Sequence, residues 1–224
     1  MHVVVPFAAI DPKTRLASVL SSAERSTLAR AMLADVLTAV VEAGAEPTVV
    51  STAPLDPATL SLEAPVRDAV SVTVDDRPLT EAVNARLPAS RDDETTAVVM
   101  SDLALATPDT LAALFAHDAA VTIAPGRSGG TNALVVSHPE FRVDYHGTSY
   151  LDHCEIARDI DASLETVDSF RLSTDIDEPT DLVEVLIHGD EADRAPACLR
   201  GLGFDLETRD GRVGVSRLEE TTRE

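Results

Sequence analysis

HVVVPFAAIDPKTRLASVLSSAERSTLARAMLADVLTAVVEAGAEPTVVS, residues 2–51, is the stretch that decides the fold. His2 to Phe7 is a short β-branched run of the kind that fills a strand buried on both faces of a parallel sheet. From Ser21 to Ala43, apolar residues recur at helical spacing (Leu28, Met32, Val36, Leu37, Val40, Val41), with Ser22 and Glu24 as start signals and Gly44 as the stop. Pro47 to Ser51 follows as a second strand. Strand, helix and strand in this order form a right-handed βαβ unit, so the expected class is α/β with a mostly parallel sheet.

The pattern continues outward from that unit. Strands are expected at Val70–Val74, Thr95–Met100, Ala119–Ala124, Phe141–Tyr145 and Val167–Leu172, with Asn132–Ser137 extended. Helices are expected at Leu79–Leu87, Thr110–Phe115 and Tyr150–Ile160. Beyond Leu182 come two helices, the second at Ala192–Leu199, and then Gly203–Glu207 and Arg212–Ser216 around Asp210-Gly211, a hairpin signal. The chain is therefore expected to be one domain, 1–224, with a small C-terminal αββ appendage over 182–218 and a frayed tail over 219–224. The hairpin is expected to cover a sheet edge or to serve a homodimer interface.

Charge narrows the function. The 224 residues carry 39 Asp and Glu against 18 Lys and Arg, a formal net charge of -21, with 44% hydrophobic residues. Nucleic acid and anionic membrane surfaces would be repelled, and a phosphorylated ligand would have to arrive with a metal. Periodic apolar runs over the whole length exclude disorder and leave an acidic shell of the halophilic kind. Lys13 is the sole lysine, which marks it for a task that needs a compact point charge rather than arginine's fork. Cys154 and Cys198 lie far apart in no metal or redox motif, and no segment approaches the ~20 apolar residues of a membrane span, so a reducing cytoplasm is expected.

Candidate chemistry lies in five places. Pro125-Gly126-Arg127-Ser128-Gly129-Gly130-Thr131-Asn132 packs three glycines, small hydroxyl side chains and an arginine between apolar runs, which is what a phosphate-binding loop requires. Lys13 and Arg15 follow the first strand at its carboxyl end, where α/β sheets keep their ligand crevice. Asp102 ends the TTAVVM strand; it reads either as a metal ligand or as a helix cap. In Asp175-Ile176-Asp177 an apolar residue separates two carboxylates, so in extended backbone both face one way and call for a cation between them. His146-Gly147-Thr148-Ser149 is a second small polar turn, with His153 one helical turn after Ser149.

Taken in order, Pro12-Lys13-Thr14-Arg15-Leu16, Ser22 to Arg25, Asp102-Leu103, PGRSGGTNAL at 125–134, Ser149 with His153, and Asp175-Ile176-Asp177-Glu178-Pro179-Thr180-Asp181-Leu182 resemble the archaeal 2-phospho-L-lactate guanylyltransferases (CofC) of coenzyme F420 biosynthesis. The resemblance covers almost the whole chain. It implies a three-layer nucleotidyltransferase fold, glycosyltransferase-A-like and Rossmann-like, acting on GTP and 2-phospho-L-lactate with Mg²⁺. It also implies Asp102, Asp175 and Asp177 as metal-binding carboxylates and Lys13 on the phosphates. Thr131, Ser149 and the backbone at His146 and Gly147 would hold the phosphorylated acid. Charge adds Arg15 on the triphosphate and Arg127 on the acid. Two departures stand out: relatives often have glycine where His146 stands, and Phe7-Ala8-Ala9-Ile10 replaces the Gly-rich turn of broader nucleotidyltransferases. Competing expectations are the same transfer to phosphoenolpyruvate or another phosphorylated acid, and a non-catalytic nucleotide-binding protein.

Overall fold

The structure, a computed structural model, describes residues 1–209 and 211–217. Seven strands form the main sheet: β1 (His2–Phe7), β2 (Glu46–Ser51), β3 (Ser71–Val74), β4 (Thr96–Val99), β5 (Val121–Pro125), β6 (Thr131–Val136) and β7 (Leu164–Thr166), in the order β3-β2-β1-β4-β6-β5-β7. All neighbouring pairs are parallel except those of β6, which runs antiparallel to both β4 and β5. The expected mostly parallel α/β sheet is present, and the single reversed strand turns out to place the site.

Alternation along the central strands separates two cores. Val3, Val5 and Phe7 of β1, Val49 of β2, Ala97 and Val99 of β4, and Ala133 and Val135 of β6 face one side; Val4, Val50, Val98, Leu134 and Val136 face the other. Both faces are covered, which is why the strands read as continuous apolar runs. The first side packs on α1 (Ser22–Glu42), α4 (Pro108–Phe115), α6 (Phe170–Ser173), α7 (Leu182–His188) and α8 (Arg194–Gly201); the second packs on α3 (Leu79–Asn84) and α5 (Ser149–Asp159). The result is three layers. A short α2 (Ala64–Ala69), absent from the sequence reading, precedes β3.

Local chemistry sets the boundaries. α1 starts at a capping box on Ser21, whose hydroxyl accepts from Glu24 N–H while the Glu24 carboxylate accepts from Ser21 N–H, so the cap lies one residue before the expected Ser22. Residues 141–145 are not a strand. Their backbone is taken by side chains of α3: Val143 N–H donates to Asn84 Oδ1 at 2.8 Å and Tyr145 N–H to Thr80 Oγ1 at 3.0 Å. The strand expected at Val167–Leu172 is likewise replaced by β7 upstream and by α6, capped where the Ser169 hydroxyl accepts from Leu172 N–H at 3.3 Å.

The C-terminal segment has the expected two helices and a hairpin, β8 (Phe204–Arg209) with β9 (Arg212–Arg217). Asp210 of the expected turn and the tail 219–224 lie outside the described residues. Rather than hanging from the main body, the segment contributes Leu182, Val185, Ala195, Leu199 and Phe204 to the same core as α1. Asp35, buried in the middle of α1, accepts from the N–H groups of Arg194 (2.9 Å) and Ala195 (2.7 Å), capping α8 from another helix. Asp35→Ala would leave those N–H groups unpaired, at about 2–3 kcal/mol. Urea unfolding should report that loss, and limited proteolysis should cut first within 190–209; an unchanged midpoint would remove Asp35 as the anchor.

Candidate active site

The reversed strand β6 assembles the site. Because it runs against β4, its first residues lie beside the last residues of β4: Val99 pairs with Ala133, and Met100 N–H donates to the carbonyl of Asn132 at 3.0 Å. The Gly126–Gly130 loop, which opens β6, therefore sits at the same edge as Asp102. Ile176 N–H reaches the Asp102 carbonyl at 3.3 Å and joins the Asp175–Asp177 segment to that edge. Ile176 is buried and anchors the segment, and the flanking Asp177 lines the cleft at this edge.

At this edge Lys13 meets two carboxylates. Its ammonium lies 2.6 Å from Asp102 Oδ2 and 2.6 Å from Asp177 Oδ1, with only 10% of the side chain exposed. Arg15 Nη1 takes the other Asp177 oxygen at 2.8 Å. Burial works against the charge on Lys13, but the two carboxylates outweigh it and hold its pKa above the ordinary lysine value. Lys13 also adopts a left-handed conformation, φ 54°, which costs a non-glycine residue roughly 1–2 kcal/mol. Its loop is pinned from α1 by the buried Arg25, which donates to the Pro12 carbonyl at 3.1 Å and pairs with Asp11.

Asp175 completes the cluster. Its pKa is raised, first by burial and then by the charges of Asp102 and Asp177, against a hydrogen bond from Asn132 Nδ2 at 3.1 Å that lowers it. Asn132 also donates to the Leu172 carbonyl at 3.0 Å and so fixes Asp175 from the loop side. A Cβ on Gly126 would lie 2.6 Å from Asn132 Oδ1, so glycine is required there for the amide to stay in place. Asp102 Oδ1 is buried and has no hydrogen-bond partner among the described residues, an orphaned acceptor in an acidic cluster. Among the described residues no three His, Cys, Asp or Glu side chains stand as a preformed metal set; the cation between Asp102 and Asp177 is Lys13. A cleft of about 310 Å³ opens beside the cluster, lined by Phe7, Lys13, Thr52, Arg77, Met100, Asp102 and Asp177 among others.

The second group of candidates lies around the start of α5. Gly129, at φ 83°, meets the Thr148 side chain, and its carbonyl accepts from Tyr150 N–H at 3.1 Å, so the glycine loop and the His146–Ser149 turn touch. Among the described residues no side chain caps the first turn of α5; Tyr150 N–H goes to the Gly129 carbonyl and Leu151 N–H to the Thr148 carbonyl at 2.8 Å, and the positive end of the helix dipole lies at that turn. Thr131 and Ser149 are both buried, and the Thr131 hydroxyl is 2.9 Å from His153 Nδ1. Gly147 is left-handed, φ 51°. Two candidates are engaged elsewhere. His146 is exposed and paired with Asp144, which raises its pKa, and Arg127 gives its guanidinium to Asp181 (2.7 Å) and Glu184 (3.6 Å) at the start of α7. Asn132, His153 and Arg25, which belong to the quoted motifs without an assigned role, are the supporting residues. The role of Asn132 could have been read in the glycine loop, whereas the roles of His153 and Arg25 depend on contacts with no local signal.

His153 supplies a pH test. Burial pushes its pKa down to about 4, against an ordinary 6.5. Between those values the unfolded chain binds the proton and the folded one does not, so this contribution to stability falls as pH falls through that window. From pH 6.5 to 5 the loss is about 1.6 kcal/mol. Urea unfolding of wild type and His153→Gln at both pH values should differ by that amount; equal pH slopes would mean that His153 titrates normally.

Known proteins resemble this chain in sequence and in fold. The chain is 72% identical to a 2-phospho-L-lactate guanylyltransferase of Haloterrigena turkmenica, with 99% of each chain covered. It is 60% identical to the protein of the same name from Natrialba magadii, over 97% of this chain and 99% of the other. In fold it is similar to the crystal structure of a Desulfovibrio desulfuricans protein described as a nucleotide-diphospho-sugar transferase, with a TM-score of 0.71 at 15% identity over 89% of this chain and 94% of that one. The family described as "Guanylyl transferase CofC like" matches residues 1–219, and the chain belongs to that family.

Proposed function

We propose that this chain joins GTP to 2-phospho-L-lactate, giving lactyl-2-diphospho-5'-guanosine and pyrophosphate in coenzyme F420 biosynthesis. The observation that carries the reading is the Lys13 ammonium held between Asp102 and Asp177 beside a cleft of nucleotide size, on a chain of this family. A phosphate oxygen of the acid attacks the α-phosphorus of GTP; the new phosphoanhydride bond forms as the bond between the α-phosphorus and the bridging oxygen breaks, and pyrophosphate carries that electron pair away. The nucleophile is already ionised and needs no general base. The obstacle is repulsion between two polyanions on a chain of net charge -21.

The residues divide that task. Lys13 and Arg15 neutralise charge on the triphosphate as it enters the cleft, exchanging carboxylate partners for phosphate oxygens. Mg²⁺ bound here would supply charge neutralisation and Lewis-acid polarisation at the phosphates. Asp102, through its orphaned Oδ1, and Asp175, crowded by like charges, fit the role of its ligands. Asp177 would join them once Lys13 and Arg15 turn to phosphate. Thr131, Ser149 and the amides at His146 and Gly147 hold the acid's phosphate at the start of α5. Arg127 is the outer member of that set and would have to leave Asp181 to reach the acid.

The reading extends to the rest of the chain: one domain, a halophilic cytoplasmic setting supported by the acidic surface, and a homodimer supported by exposed Leu206 and Val213 on the C-terminal hairpin. Among the described residues no helix is long and apolar enough to cross a membrane.

Pyrophosphate release in high salt with Mg²⁺, crossing GTP, ATP, CTP and UTP with 2-phospho-L-lactate, phosphoenolpyruvate and 3-phosphoglycerate, tests the reading. GTP with 2-phospho-L-lactate should give the highest kcat/KM. Preference for another acid would reassign the acceptor, and tight GTP binding without turnover would make the protein a binding module. Asp102→Asn and Asp175→Asn should each reduce release to background with the fold intact, and near-normal activity in either would remove the carboxylate assignment. Lys13→Arg keeps the charge but not its shape and should lose about tenfold or more in kcat/KM.

A further inference from the structure

The His153 imidazole is fully buried one turn into α5, and both of its nitrogens are engaged. Asp144 N–H lies 2.9 Å from Nε2. A backbone amide can only donate, so Nε2 carries the lone pair. The ring is neutral at working pH, because burial outweighs the nearby Asp152 and Asp144 charges that favour protonation. Its one proton is therefore on Nδ1, and Nδ1 is 2.9 Å from Thr131 Oγ1. The imidazole donates and the hydroxyl accepts. Edge contacts from Phe141 (centroids 5.9 Å apart) and Tyr145 (5.3 Å) keep the ring from turning over.

The polarity of this relay matters for an anion. A hydroxyl that accepts from a fixed donor has its own hydrogen free for another partner, and among the described residues Thr131 Oγ1 has no second one. With the opposite tautomer Thr131 would donate to Nδ1 and turn lone pairs outward, and the same atoms in the same places would repel phosphate.

We propose that His153 is a positioning residue for the acceptor: the Asp144 N–H selects its Nδ1–H tautomer, which makes the Thr131 hydroxyl a committed donor to the acceptor's phosphate. This rests on the reading that Thr131 meets that phosphate. The relay runs from a loop amide through a buried ring to a strand hydroxyl, so the donor is set before substrate arrives and loses little entropy on binding. His153 touches no substrate in this account and acts only through Thr131.

Two measurements test it on the full chain. Nitrogen-15 NMR of histidine-labelled protein at pH 7 should show the His153 Nδ1 protonated and Nε2 bare; the reverse overturns the proposal. In steady-state kinetics with 2-phospho-L-lactate, His153→Phe should raise the acceptor KM severalfold with the GTP KM unchanged, because the Thr131 hydroxyl can still donate but is no longer held in that role. His153→Gln, whose carboxamide can accept from Asp144 N–H and donate to Thr131, should recover most of that loss. Thr131→Val, which removes the donor itself, should raise the acceptor KM about tenfold, and the double variant should be no worse than Thr131→Val. An unchanged acceptor KM in Thr131→Val would remove the acceptor reading of this loop, and the proposal with it. A deficit in Thr131→Val without one in a folded His153→Phe, or equal losses in the Phe and Gln variants, would overturn the His153 inference while leaving that reading intact. If His153→Phe does not fold, the tautomer and His153→Gln decide: the reversed tautomer, or a Gln variant as impaired as Thr131→Val, would overturn it.

Discussion

The site is organised by the repulsion between carboxylates that the fold gathers at one sheet edge. Asp102, Asp175 and Asp177 arrive there from two segments of the chain, and with no cation among them they would raise one another's pKa or push apart. Lys13 answers that repulsion with a single ammonium 2.6 Å from two of the three. The left-handed turn at Lys13, the Arg25 clamp on its loop and the Asn132 bond to Asp175 all serve to hold that arrangement. The surviving lysine in an arginine-only chain thus stands at a position where a compact charge must fit between two carboxylates, which a planar guanidinium would do poorly.

Reversal of β6 is the other constraint. In an all-parallel sheet the glycine loop before β6 would open at the opposite edge from Asp102. Running β6 antiparallel between β4 and β5 returns Thr131 and Asn132 to the carboxyl end of β4, and with them the turn at the start of α5. The two candidate subsites, the carboxylate cluster beside its cleft and the hydroxyl pair at α5, are joined by consecutive residues, Thr131 on one and Asn132 on the other. A shift in either is carried to its neighbour through a single peptide unit.

How far the sequence revealed this follows from the range of each interaction. Buried strands and α1 are legible because their periodicity is local, and the burial of Ile176 between two aspartates follows from the same alternation. Residues 141–145 alternate like a strand yet are none, since Asn84 and Thr80 claim their backbone across about 60 residues of sequence. The Lys13 bridge, the Asp35 cap on α8 and the His153 relay were illegible for the same reason: each partner lies on another element, and nothing local marks it. Charge alone recommends Arg127 from the sequence, and the structure gives that charge to Asp181 and Glu184.

The central claim is that the guanylyl group of GTP is transferred to a phosphorylated acid at this edge. Phosphorus-31 NMR of the complete reaction, GTP with 2-phospho-L-lactate and Mg²⁺ in high salt, follows both bonds at once. The account predicts that the acid's phosphomonoester signal is replaced by that of an unsymmetrical diphosphate, with one pyrophosphate for each acid consumed. Release of GDP and inorganic phosphate with the acid unchanged would contradict it.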